Sequence, residues 1–126
     1  MGRSLERIVV IDDDPDYLMF VTTLLARGAY SHVGFTRAQE ALDYMRANPV
    51  ALVITDLFMP DMDGFEALKV IAQDFPSIHV ITMSGQQAMG KDFYLDCAKH
   101  LGAIASLKKP FEPEALRALV AEALRR

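Results

Sequence analysis

Short apolar runs alternate with amphipathic stretches along this chain, the pattern of a strand and a crossover helix repeated about five times. The predicted strands are Arg7 to Ile11, Ser31 to Phe35, Ala51 to Thr55, His79 to Met83 and Ala103 to Leu107. The first helix is expected to begin at Asp14-Pro15, where an acceptor side chain can cap and proline fills a position that needs no N–H. Leu18, Val21, Leu24 and Leu25 then share one face. A second helix is predicted from Arg37 to Ala47, with Leu42 and Met45 as its inner stripe. Asn48-Pro49 closes it, because proline disfavours helical geometry in the residue before it. Turn formers from Met59 to Gly64 lead into a third helix carrying Phe65, Leu68, Ile71 and Ala72, which Pro76 ends. A fourth is expected from Lys91 to His100, with Tyr94, Ala98 and Leu101 inward and Gly102 as its stop. The last helix follows Pro113.

Composition narrows the class. A chain of 126 residues at 52% hydrophobic is the size of one domain that buries a core without staples. Its formal charge of −4 lacks the basic excess of a nucleic-acid binder. Cys97 stands alone, which excludes an internal disulfide framework and a thiolate-rich zinc site and fits a reducing cytoplasm. No apolar run reaches membrane-spanning length, and the start, Met1 to Arg7, is too polar for a secretory signal.

Open α/β sheets place their sites at the carboxyl ends of the strands, beside the point where strand order reverses. Four features fall at that edge: Asp12-Asp13 after the first strand, Asp56 after the third, Ser84 after the fourth and Lys109-Pro110 after the fifth. Carboxylates converging there repel one another unless they bind a cation. Two acid positions, a hydroxyl and an amine form a set suited to handling phosphoryl groups. Lys108 is separated from Lys109 by strand alternation, which sends it to the opposite side. Asp14 is read as a helix cap, and Asp61 and Asp63 as turn residues before Gly64. Cys97 is read as a small apolar filler, and His32, His79 and His100 form no ligand-spaced pair.

The ordered motifs resemble the receiver domain of two-component response regulators, from Ile8 to Leu124. They are Val10-Ile11-Asp12-Asp13-Asp14, the stretch from Asp56 to Gly64, Thr82-Met83-Ser84-Gly85, and Lys109-Pro110-Phe111. The resemblance implies a flavodoxin-like, doubly wound parallel sheet of order 2-1-3-4-5 with five helices, residues 1–126 being the receiver with no output domain. It implies that Asp56 accepts a phosphoryl group from a sensor histidine kinase or a histidine phosphotransfer protein, with Mg2+ as cofactor. Asp13, Asp56 and the backbone carbonyl of Phe58 would ligate the metal, and Asp12 would orient a metal-bound water. Lys109 would place its charge against the phosphoryl oxygens, and Ser84 would donate a hydrogen bond to one of them. Such a protein is not an enzyme beyond its own phosphorylation and dephosphorylation. Its output is contact with a downstream protein, without direct nucleic-acid or membrane binding, as a monomer or weak homodimer.

Two features depart from the family's common pattern. Ser106, three residues before Lys109, stands where many receivers carry a rotating aromatic. The stretch from Gly85 to Gly90 makes an extended, glycine-flanked loop, which would replace that toggle by closing over the phosphorylated site. Phe58 and Gln86, two residues beyond Asp56 and Ser84, occupy positions that govern an attacking water, and a bulky Phe58 predicts slow self-hydrolysis. Two other readings stand beside this one. A receiver-like binding scaffold would not need the acids it keeps. A phosphatase of the haloacid dehalogenase type would use the D-x-D spacing in Asp12-Asp13-Asp14 but leaves Asp56 unexplained and expects acids where Lys108-Lys109 stand.

Overall fold

Burial decides the order of the strands. In this computed structural model, which describes residues 7–59, 64–85 and 99–126, every side chain of β1 (Ile8–Ile11) and β3 (Leu52–Asp56) is buried. A strand apolar on both faces belongs at the centre of a parallel sheet covered by helices on each side. β2 (His32–Phe35) and β5 (Ala105–Lys108) are only partly buried and form the two edges, with β4 (His79–Ser84) beside β5. All pairings are parallel, in the order β2-β1-β3-β4-β5, as the resemblance implies.

Alternation along each strand divides the core in two. Val9, Ile11, Val53 and Val80 pack with Leu42 and Met45 of α2 (Ala38–Ala47) and Leu68 and Ile71 of α3 (Gly64–Asp74). Ile8, Val10, Ile54 and Ile81 face the other way, onto Val21 and Leu25 of α1 (Pro15–Arg27) and Leu116 and Val120 of α4 (Pro113–Arg125). Four helices lie wholly within the described residues. Of the predicted helix from Lys91 to His100, Lys99 and His100 are helical and the remainder, with Tyr94 and Ala98, lies outside the described residues. Leu101 is half-buried against the α2 and α3 side, and Gly102 takes a φ of 107°, a conformation that suits the residue ending a helix.

Local chemistry explains the helix ends. The Asp14 side chain accepts the Asp16 N–H at 3.0 Å and Pro15 takes the first helical position of α1. Asn48 ends α2 in extended conformation ahead of Pro49, and its side chain donates to the Tyr44 carbonyl at 3.0 Å. Two details correct the sequence reading. Ala72 is exposed, so the inward stripe of α3 is carried by Leu68 and Ile71. The strands also sit slightly later than predicted, with Asp56 and Ser84 inside β3 and β4 because their backbones still pair with Met83 and Lys108. The predicted start of β5 at Ala103 gives way to Ala105 for the same reason, since pairing with β4 begins at Ile81↔Ala105. No helix among the described residues is long and apolar enough to cross a membrane.

Candidate functional site

Parallel register brings the acids together. Ile11 pairs with Thr55, so one residue further Asp12 stands level with Asp56 at the carboxyl edge of the sheet. Backbone bonds extend that edge: Asp12 N–H donates to Phe35 at 3.1 Å, Leu57 N–H to Met83 at 2.9 Å, and Lys109 N–H to Ser84 at 2.7 Å. The last of these anchors Lys109 beside the end of β4, with a cis peptide between Lys109 and Pro110. A cleft of about 460 Å³ opens at this edge, lined by Asp12, Asp13, Asp14, Tyr17, Asp56, Phe58, Gly85, Lys109 and Pro110.

Inside the cleft, carboxylate oxygens of Asp12, Asp13 and Asp56 all lie within 4.8 Å of one another. Lys109 Nζ donates to Asp12 Oδ2 at 2.6 Å and stands 3.6 Å from Asp56 Oδ1. Asp12 Oδ1 accepts the Asp14 N–H at 3.0 Å, so both oxygens of this fully buried carboxylate are engaged. Asp56 differs. Its Oδ1 is buried and has no hydrogen-bond partner among the described residues. Burial pushes the Asp56 carboxyl up to about 6, Lys109 opposing the rise and the charges of Asp12 and Asp13 adding to it. Burial also raises Asp12, with the Lys109 bond pulling back. Three oxygen donors crowded at this range suit a hard divalent cation such as Mg2+, which takes carboxylates and keeps waters.

The Ser84 hydroxyl, on the last position of β4, is likewise buried without a hydrogen-bond partner among the described residues. Phe58 is half-buried and packs edge-on against Phe65 at 6.3 Å between ring centroids. Lys108 is exposed and does not line the cleft.

Residues 8–121 match the response regulator receiver domain. The chain belongs to that family. Two-component response regulator ARR2 of Arabidopsis thaliana is 37% identical to this receiver over 113 residues, which are 88% of this chain and 16% of that protein. Regulatory protein VanRc of Enterococcus gallinarum is 32% identical over 121 residues, 96% of this chain and 51% of its own length. This receiver thus spans about half, or less, of those two relatives. Among solved structures, a response regulator receiver domain protein from Clostridium thermocellum superposes with a TM-score of 0.87 at 28% identity, covering 96% of this chain and 95% of that one. Aspartate phosphorylation and Mg2+ are general features of receivers in two-component systems.

The fold gathers Asp12, Asp13, Asp56 and Lys109 of the sequence-derived set in one cleft and puts Ser84 at the same sheet edge. Gln86, the loop residues after Gly85, Asp61, Asp63 and Cys97 lie outside the described residues. Sequence reasoning singled out Ser106 without its partner and passed over Tyr17 altogether. In place of an aromatic, Ser106 shares a 2.7 Å hydrogen bond with Thr82, hydroxyl to hydroxyl, between β5 and β4. Tyr17, in the first turn of α1, puts its ring 4.3 Å from Lys109 Nζ. Burial holds the Tyr17 phenol above its ordinary 10.0, with the Phe111 backbone and Lys109 pulling it back, so the group beside Lys109 is a neutral ring. The available signal was positional: the first turn of a helix that follows an acidic strand end faces the same cleft.

Proposed function

We propose that this receiver domain takes a phosphoryl group onto Asp56 from the phosphohistidine of a sensor histidine kinase or a histidine phosphotransfer protein. The observation that carries this reading is Asp56 itself, a buried carboxylate whose Oδ1 has no hydrogen-bond partner among the described residues and which lies with Asp12, Asp13 and the Lys109 ammonium. An Asp56 carboxylate oxygen forms a bond to phosphorus while the bond from phosphorus to the imidazole nitrogen breaks; the electron pair stays on that nitrogen, which takes up a proton. Asp12, Asp13, Asp56 and the Phe58 carbonyl would hold Mg2+, which when bound offsets repulsion between the carboxylate and the phosphoryl oxygens. Lys109 is close enough to Asp56 to turn its ammonium from Asp12 toward an incoming phosphoryl oxygen. The Ser84 hydroxyl, without a hydrogen-bond partner among the described residues, is the donor available for another. Neither residue takes part in bond making, and no other substrate is turned over.

The product is an aspartyl phosphate whose new contacts to Lys109 and Ser84 bias the carboxyl edge of the sheet between two arrangements. The acidic balance of the chain supports a protein as the downstream target in preference to nucleic acid. Its single cysteine supports a cytoplasmic site of action.

Incubation with Mg2+ and acetyl phosphate, read by intact mass, tests the reading. The wild type should gain one phosphoryl group and Asp56→Asn none. Failure of the wild type to gain it would favour a binding scaffold, and turnover of a generic phosphomonoester would favour a phosphatase.

A further inference from the structure

Among the described residues, three groups stand against the Lys109 ammonium: Asp12 Oδ2 at 2.6 Å, Asp56 Oδ1 at 3.6 Å and the face of Tyr17 at 4.3 Å. Two are the acids of the proposed phosphorylation site, and the third has no part in the chemistry described above. A lysine carries its charge on a flexible four-carbon stem, so holding that charge at one point needs more than a single carboxylate. The aromatic face attracts a cation through its quadrupole, most strongly where water is displaced. Here the Lys109 side chain is 14% exposed.

The ring is itself held. Tyr17 meets Phe20 edge-on at 5.3 Å and Phe111 edge-on at 5.6 Å, and Phe20 and Phe111 close the triangle at 5.9 Å. Phe111 lies two residues after Lys109, and Phe20 lies one turn along α1 from Tyr17. The triangle therefore fixes the segment that carries Lys109 to the helix that carries the ring. The Tyr17 hydroxyl has no side-chain partner among the described residues, so the contact belongs to the ring.

We infer that Tyr17 is a positioning residue of the phosphorylation site: its ring, braced by Phe20 and Phe111, seats the Lys109 ammonium between Asp12 and Asp56 before a phosphoryl group arrives. This rests on the function proposed above and adds to it the group that preorganises the cation. A charge already held 3.6 Å from Asp56 has only a short turn to make when negative charge reaches the site, which keeps reorganisation small.

Nuclear magnetic resonance of the unphosphorylated protein with labelled lysine tests the seat directly. Ring-current shielding should move the Lys109 side-chain protons upfield in the wild type and in Tyr17→Phe, and the displacement should vanish in Tyr17→Leu. Phosphorylation by acetyl phosphate should proceed in Tyr17→Phe within about twofold of wild type and in Tyr17→Leu about fivefold or more slower. Thermal unfolding establishes that each variant is folded; if Tyr17→Leu is not, Tyr17→Met takes its place. Absence of the upfield displacement in the wild type overturns the inference without any variant. So does a folded Tyr17→Leu phosphorylated at the wild-type rate, or a Tyr17→Phe as slow as Tyr17→Leu, which would assign the effect to the hydroxyl. A wild type that gains no phosphoryl group at all removes the function proposed for Asp56 and the inference with it, whereas the other failures remove the inference alone.

Discussion

Lys109 Nζ bonds to Asp12 Oδ2 at 2.6 Å and stands 3.6 Å from Asp56 Oδ1, so the resting ammonium belongs to the neighbouring acid and not to the proposed nucleophile. Asp12 is thereby satisfied on both oxygens, the other accepting the Asp14 N–H. Asp56 is the buried carboxylate whose Oδ1 has no hydrogen-bond partner among the described residues. An internal cation thus lies against two of the three crowded acids and bonds to Asp12 alone.

Removing that cation should be costly in the absence of metal. Lys109→Met leaves the buried Asp12 without its charge partner, and breaking such a pair typically costs about 3–5 kcal/mol. Urea unfolding in EDTA at neutral pH should show a loss of about that size, reduced when Mg2+ is added because the acids then share a different cation. Equal stability of variant and wild type in EDTA would contradict the arrangement.

Asp56 carries a pH signature. Its carboxyl sits at about 6 against an ordinary 3.8, so the folded protein holds this proton more tightly than the unfolded chain does. Stability from this group is present below the unfolded value and is lost as pH rises through the folded one. A rise of about two units corresponds to roughly 3 kcal/mol. Asp56→Asn should therefore stabilise the metal-free protein by up to about 3 kcal/mol at pH 7 and by little at pH 4. Urea melts at the two pH values check this, and an equal gain at both would count against it.

The Thr82 and Ser106 hydroxyls should behave as a unit. Ser106→Ala strands the fully buried Thr82 hydroxyl, which typically costs about 1–3 kcal/mol. Combining it with Thr82→Val removes the stranded group, so the double variant should lose less than the sum of the singles. A coupling of about 1 kcal/mol in a double-mutant cycle is expected, and strict additivity would mean that the bond contributes nothing.

Asp14 lines the cleft, yet its Oδ1 accepts the Asp16 N–H at the start of α1. Asp14→Ala should cost about 1 kcal/mol through loss of that cap. Isothermal titration with Mg2+ should leave the affinity within about twofold of wild type, since the carboxylates that converge are those of Asp12, Asp13 and Asp56. A tenfold loss of affinity would make Asp14 a ligand.

The sequence by itself determined the α/β class and the edge of the sheet at which the candidate site residues gather. Apolar runs such as Ile8 to Ile11 and Leu52 to Ile54 are local patterns, and acids placed at their ends must emerge at the carboxyl edge whichever strands are neighbours. Motif order supplied the strand order through resemblance, and the pairing of β1 with β3 then set Asp12 beside Asp56. Tertiary structure alone decided which acid Lys109 holds, that Tyr17 lies against the same ammonium, and that Ser106 pairs with Thr82. Lys109 and Asp12 are 97 residues apart, and their contact depends on side-chain geometry at ångström scale. Periodicity reports only which face of an element is buried; distances between side chains on different elements follow from how the helices and the sheet pack.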